Sequence, residues 1–393
     1  MKVSALKYQK KTTSINSTNL DIQTFGDNND FYQIVMKIIE GSVTGKSCVN
    51  VYSKFINGRG FSLDTYNIKI NGKGQTLDDL LRMIAGDYAK FNGFALHVNY
   101  NALGQKVSVY HIPFEHVRLQ ALDKDGNFSK VAIHPDWARE NLSLKAWNQK
   151  DIKYYDLYNS DINIINQQAD NAGGWSNYQG QVYYYSGNGD ISYPLPIFSM
   201  ALTDMSSDEG LSNINYRNIR NRFMSGGVLC GIKREEETTY YEESGEETEA
   251  LMAKGREEES EDQVKDQLIQ FQGDEEACKI AYIEVANKDE IPTFIPFQTN
   301  NYDKDYTSAE SSIKDKIGRA FNQPPILRAE NIGAGFGAEL MQACYDYYNS
   351  VTETERYDIE RVFTEVFSNW KNGEINNFTI QPKIWGGNKK DAN

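Results

Sequence analysis

The spacing of hydrophobic positions changes several times along this chain. Phe31, Ile34, Val35, Ile38 and Ile39 recur at helical spacing, which predicts a short helix over 27–40. From Ser47 the passage SCVNVYSKF alternates and predicts a strand. Thr76 and Asp79 have the spacing of a capping box, opening a helix through Leu80, Leu81, Ile84 and Tyr88. Strand-like stretches follow at 93–100, 106–112, 116–122, 152–158 and 181–185, separated by turns rich in Gly, Asn and Asp. This half therefore predicts a mixed α+β domain on a mostly antiparallel sheet.

At Tyr193-Pro-Leu-Pro196 the pattern shifts. Leu211, Ile214, Ile219 and Phe223 predict a helix over 207–224, ended by Ser225-Gly-Gly227, with a strand at 228–232. A polar helical stretch near 262–271 and a strand at 279–285 come next. A capping box from Thr307 to Glu310 predicts a helix carrying Ala309, Ile313, Ile317, Ala320 and Phe321, stopped by Pro324-Pro325. The last long helix is expected over 338–371, roughly 50 Å if straight, with a kink where Thr352 and Glu355 suggest a second capping box. A closing strand at 377–384 is expected to pair with the first-half sheet.

Charge is concentrated in one place. Of the net −14, a balance of −11 lies between Glu235 and Asp262, where thirteen acids face Lys254 and Arg256. The remainder is close to neutral, and no Lys/Arg-rich block advertises strong nucleic-acid binding by counterion release. The acidic segment reads first as a solvated excursion, alternatively as a docking surface for a basic partner. Cys48, Cys230, Cys278 and Cys344 are widely separated without a CxxC pair, so neither a disulfide framework nor a zinc site is expected and synthesis in a reducing cytoplasm is the default. No apolar run approaches the roughly 18–20 residues needed to cross a bilayer, and a soluble chain is expected.

Motifs that would carry chemistry fall short. Gly41–Ser47, GSVTGKS, has three residues between its glycines where a phosphate loop needs four, and it reads as a helix-to-strand turn. Gly333-Ala-Gly-Phe-Gly337 is not a dinucleotide fingerprint; three glycines in five residues suit a mobile loop. His97, His111, His116 and His134 show no acid partner in sequence and are expected to be structural. Asp204 and Asp208 fit helix capping better than cation binding. No catalytic residue, metal site or cofactor is expected.

Several passages, in this order, resemble the portal proteins of tailed bacteriophages. DYAKFNGFALHVNYNALGQKVSVYHIPFEHV (87–117) is similar to the helix and paired strands of that family's wing domain. NIRNRFMSGGVLCGIK (218–233) resembles the helix that exits into the clip, and IGRAFNQPPILRAEN (317–331) resembles the family's passage around paired prolines. SVTETERYDIERVF (350–363) follows as in the family's long helix. The resemblance covers about 30–385; a Glu-rich insertion swells the clip, and the family's crown is missing or minimal.

The resemblance implies an α+β portal fold: wing 1–206, stem helix 207–226, clip 227–303, second stem helix 304–325, tunnel loop 326–337, long helix 338–371 and a return to the wing over 372–393. It implies a homo-oligomeric ring, typically a dodecamer, at the capsid vertex of a virion assembled in the host bacterial cytoplasm. Its partners would be double-stranded DNA in transit, the terminase large subunit, a head–tail connector, and the major capsid and scaffolding proteins; ATP hydrolysis would reside in the terminase. Ile326, Arg328, Glu330, Asn331, Ile332, Gly333, Gly335, Phe336 and Gly337 would face DNA in the tunnel loop. Ile313, Ile317 and Phe321 would meet a neighbouring subunit, and Glu235, Glu236, Glu237, Glu257, Glu258 and Glu259 would form the clip's docking acids. Another phage structural protein, such as a connector or minor capsid subunit, and a β-rich enzyme with an unrecognised site remain alternatives.

Overall fold

A computed structural model describes residues 15–17, 20–62, 67–137, 152–220, 228–232, 281–285, 302–328, 337–373 and 375–386. The chain divides into two compact units, Met1–Ser206 with Lys314–Asn393, and Ser207–Ile313.

In the first unit, β1 (Ile15–Ser17) and β2 (Ile22–Thr24) pair antiparallel ahead of three helices, α1 (Phe31–Gly41), α2 (Val43–Asn57) and α3 (Leu77–Phe91). Helix α1 forms where the spacing places it, but Tyr32 joins Phe31, Val35 and Ile39 inside while Ile34 stays exposed. Helix α2 corrects the expected strand from Ser47. Its buried residues Cys48, Val49, Tyr52, Phe55 and Ile56 recur at three- and four-residue steps, a helical face that local alternation disguised. GSVTGKS is accordingly a helix-to-helix junction, with Ser42 capping α2 by accepting from Gly45 N. The Thr76–Asp79 capping box forms as expected.

A six-stranded sheet follows, in the order β4 (Lys106–Ile112), β3 (Gly93–Tyr100), β8 (Gln181–Ser186), β7 (Lys153–Leu157), β6 (Lys130–Ile133), β5 (Val117–Leu119). It is antiparallel except where β7 meets β8. That parallel pair requires a crossover, and α4 (Ile162–Asn171), absent from the sequence reading, is part of it. One turn design recurs three times, in NGKGQ (71–75), NALGQ (101–105) and DKDGN (123–127). In each, the first side-chain oxygen accepts from the backbone N–H groups two and four residues on, and the glycine takes a φ of 77°, 72° or 80°.

The core of this unit is largely aromatic. Phe25, Phe31, Tyr32, Phe91, Phe114 and Tyr193 pack ring against ring, and the Tyr32 and Trp137 rings lie against Arg118, a fully buried guanidinium held by Asn29, Gln33 and backbone carbonyls rather than by a carboxylate hydrogen bond. Along β8, side chains alternate as a strand requires. Tyr184 packs on Phe114, while Tyr183 and Tyr185 donate to Glu365 and Asp358.

The second unit contains a parallel pair, β9 (Val228–Ile232) with β10 (Ala281–Val285), in the register Val228↔Ala281 to Ile232↔Val285. Helix α5 (Leu202–Arg220) begins five residues before the expected start at 207, which places Asp208 inside the helix rather than at its cap. Helix α6 (Tyr302–Ala320) likewise begins before Thr307, so the Thr307–Glu310 pair lies within it and does not start it. The expected helix near 262–271 lies outside the described residues.

Candidate assembly and channel elements

Helix α6 ends in the first unit on an apolar anchor. Ile317 and Phe321 are fully buried, and the Phe321 ring stacks on Phe198 at 4.8 Å. Next, Gln323 donates to the Cys48 carbonyl at 2.7 Å and to the Tyr348 hydroxyl at 2.9 Å. Tyr348 in turn donates to the Phe321 carbonyl at 3.1 Å. The end of α6 is thus fastened to α2 and to the helix that follows.

After Pro324, residues Pro325–Arg328 form one 3₁₀ turn, which fixes the start of the segment expected to be a pliable loop. Ile326 is half-buried there. Arg328 turns back along α6, donating to the Lys314 carbonyl at 2.8 Å with Asp315 at 3.8 Å, and its side chain is 5% exposed. Gly318 makes this possible: a Cβ at that position would collide with the Arg328 guanidinium. The one hint in sequence is a glycine inside an otherwise helical run. Glu330, Asn331, Ile332, Gly333, Gly335 and Phe336 lie outside the described residues, as do Glu235, Glu236, Glu237, Glu257, Glu258 and Glu259. Gly337 occupies the N-cap of α7 (Ala338–Val351).

The expected long helix is two helices, α7 and α8 (Glu353–Val366). The kink falls at Thr352 as expected, but no capping box forms. Instead the Thr352 hydroxyl donates back to the Tyr348 carbonyl, and Arg356 fills the break. Its guanidinium donates to Thr352 Oγ1 (2.7 Å), the Asn349 carbonyl (2.6 Å) and the Phe55 carbonyl of α2 (3.2 Å). Tyr52 reaches from α2 to Glu355 Oε1 at 2.6 Å. Burial and the Glu355 charge push the Tyr52 hydroxyl far above its usual range, so it remains a neutral donor.

The sheet is tied to the end of α8 by Lys106, whose ammonium donates to Tyr158 OH (2.8 Å), the Glu365 carbonyl (2.8 Å) and Ser368 Oγ (3.0 Å). Burial lowers its pKa to about 8 against the opposing pull of Glu365. The expected strand at 377–384 does not form. Residues 375–386 carry no regular structure, and their polar backbone atoms meet Arg59 and Gly60 beyond α2, Glu360 on α8 and Asn349 on α7 instead of a sheet edge.

These placements change which apolar side chains are exposed. Ile317 and Phe321, expected at a subunit contact, are covered within their own chain because Phe198 and Tyr52 already close over that end of α6. Ile313 is half-buried. On α7, by contrast, Leu340 and Tyr347 are 50% and 52% exposed. His111 has an acid partner that sequence did not disclose: Asp87 Oδ2 lies 2.7 Å from its ring nitrogen and also accepts from Phe114 N at 3.0 Å. The pair fastens the end of β4 to α3. Asp204 lies in the first turn of α5 and pairs with Lys316 at 3.3 Å.

No protein-family model matches the chain, and neither does any curated protein. Among solved structures, it is similar to a chain in the virion of a native gene transfer agent particle, with 12% identity and a TM-score of 0.44 over 90% of this chain and 83% of that one. A chain in the neck of the empty particle, computed with C6 symmetry, gives 12%, 0.45, 91% and 85%. One in the neck of the native particle, computed with C12 symmetry, gives 11%, 0.39, 85% and 78%.

Proposed function

We propose that this chain is the portal subunit of a tailed-phage-like particle, a non-enzymatic ring component at a capsid vertex through which DNA is packaged and ejected. The observation that carries the reading is the arm 314–352. Two helices are fastened to the same helix α2: α6 through Gln323, which donates to the Cys48 carbonyl, and α7 through the Tyr348 ring packed on Phe55 and through Arg356 of α8, which bridges the Asn349 and Phe55 carbonyls. Between them they hold the short segment 329–336, which the sequence resemblance assigns to the tunnel loop. Such a bracket lets a loop face a channel while its two ends stay fixed.

In this reading the second unit carries the clip, with its acidic insertion docking the terminase and later the connector. Capsid and scaffolding proteins meet the wing. Arg328 is held inside the subunit, so the loop touches DNA through shape and brief contacts rather than through that cation. Neighbouring subunits meet at the exposed face of α7, through Leu340 and Tyr347, with Ile313 as a further contact. A heterologous contact of this kind closes into a ring when its rotation is right.

Negative-stain imaging of the purified full-length protein tests the reading directly. Closed rings with an open axial channel are expected. A population of monomers, dimers or open filaments across assembly conditions would overturn it.

A further inference from the structure

Three cations stand on the two segments that meet where residues 375–386 pass the end of α2. Lys54 and Arg59 are exposed at that end, and Lys383 is half-buried on the crossing segment. The backbone fixes their places. Arg59 N donates to the Gln381 carbonyl at 2.7 Å, and Gln381 N donates back to the Gly60 carbonyl at 2.9 Å. Gly58, at φ 56°, permits this approach, since a Cβ there would strike the Gln381 carbonyl. Lys383 is pinned on both backbone atoms by the Asn349 amide, at 2.8 and 3.2 Å. Beside it Trp385 packs edge-on to Tyr345, which packs on Phe55, and Ile384 is 51% exposed.

No carboxylate forms an ion pair with Lys54, Arg59 or Lys383 among the described residues. Burial lowers the pKa of Lys383, and the neighbouring charge of Lys54 lowers it further. Two like charges held near each other repel, and a bound anion would relieve that repulsion. Arg59 and Lys383 stand on pinned backbone, which suits a partner whose negative charges are also fixed in place.

We propose that Lys54, Arg59 and Lys383 form a ledge that binds the phosphate backbone of duplex DNA, with Trp385 and Tyr345 as its rigid apolar edge. The ledge lies outside the loop assigned to the tunnel, and it rests on the portal reading only for the source of the DNA. It is a positioning contact of a few charges, weak enough to release as salt rises.

The test is fluorescence anisotropy of a short labelled duplex with the full-length protein, over a range of salt concentrations. Neutralising all three as Lys54→Gln, Arg59→Gln and Lys383→Gln should weaken binding on the order of tenfold and flatten the plot of log affinity against log salt by about 0.9 per cation removed. Unchanged affinity and slope in a folded variant would overturn the ledge. Should the triple variant fold poorly, the exposed single change Lys54→Gln must still flatten the slope. Binding to phosphatidylserine vesicles that duplex DNA does not displace would also overturn it, because the patch would then serve a lipid surface. Imaging the same preparations separates the two readings. Rings without charge-dependent DNA binding remove the ledge alone, whereas charge-dependent binding by a chain that forms no rings removes the portal reading alone.

Discussion

Asn349 holds Lys383 by both polar ends of its side chain, Nδ2 donating to the Lys383 carbonyl at 2.8 Å and Oδ1 accepting from its N–H at 3.2 Å. A single amide thereby does what a neighbouring strand would do for an extended segment. Asn349→Leu leaves both backbone groups without their protein partners, which should lower stability by about 1–3 kcal/mol. Urea denaturation would show this as a lower midpoint at unchanged slope. Asn349→Asp keeps the acceptor, loses the donor, and should fall between.

Gly318 and Arg328 should behave as one unit. Gly318→Ala would ordinarily favour a helix by about 1 kcal/mol. Here its methyl displaces the guanidinium from the Lys314 carbonyl, so melting temperature should fall instead. In the background of Arg328→Ala the same substitution should recover its stabilising sign. Additive effects in that double-mutant cycle would contradict the clasp.

Ile317→Asp should damage the subunit before it damages any assembly. The side chain is fully buried in its own chain, and an unpaired carboxylate there costs several kcal/mol. Loss of near-ultraviolet circular dichroism is expected in the monomer itself. Leu340→Asp and Tyr347→Asp, on an exposed face, should leave folding intact and reduce ring formation in analytical ultracentrifugation.

The Lys106 ammonium gives a pH dependence of known sign. Its pKa is lowered to about 8 in the folded chain, against 10.5 when unfolded. Below 8 both states are protonated and the burial penalty is fully present. Between 8 and 10.5 the unfolded state binds more protons, so Lys106 raises stability as pH rises through that window. Denaturation of wild type and Lys106→Met at pH 7 and pH 9.5 isolates the effect from tyrosine ionisation. The wild type should gain on the variant at the higher pH; no relative change would mean the ammonium is solvated in the fold.

Much of the fold was legible because its signals were local. The Thr76–Asp79 box, the strands from 93 to 119 and the Asn/Asp–Gly turns each rest on residues a few positions apart. Helix α2 was misread because Val49-Asn50-Val51 alternates locally, and the helical face that Cys48, Val49 and Tyr52 begin becomes plain only when Phe55 and Ile56 are included. Pairings across long distances left little trace. Nothing near Thr352 announces that Arg356 will bridge to Phe55, and nothing near His111 announces Asp87. The burial of Ile317 and Phe321 within their own chain was hidden for a related reason. An apolar stripe tells that a helix is covered, but whether its own chain or a neighbour covers it depends on Phe198, more than a hundred residues away.

The parallel pairing of β9 and β10 has a consequence for how this protein can vary. Two parallel strands need a return path of about a dozen residues or more, and here the path is 233–280, which includes the acidic stretch. Replacing 235–262 by a neutral linker of equal length should leave melting and ring formation intact while weakening salt-sensitive binding to a motor or connector; equal affinity at low salt would make the segment inert. Above the minimum, doubling the path costs only about 0.6 kcal/mol in chain entropy. The strand pair can thus serve as a fixed socket, and the insert as an exchangeable fitting. On the portal reading proposed above, rewriting the insert alone would change what the particle docks and leave the ring as it is.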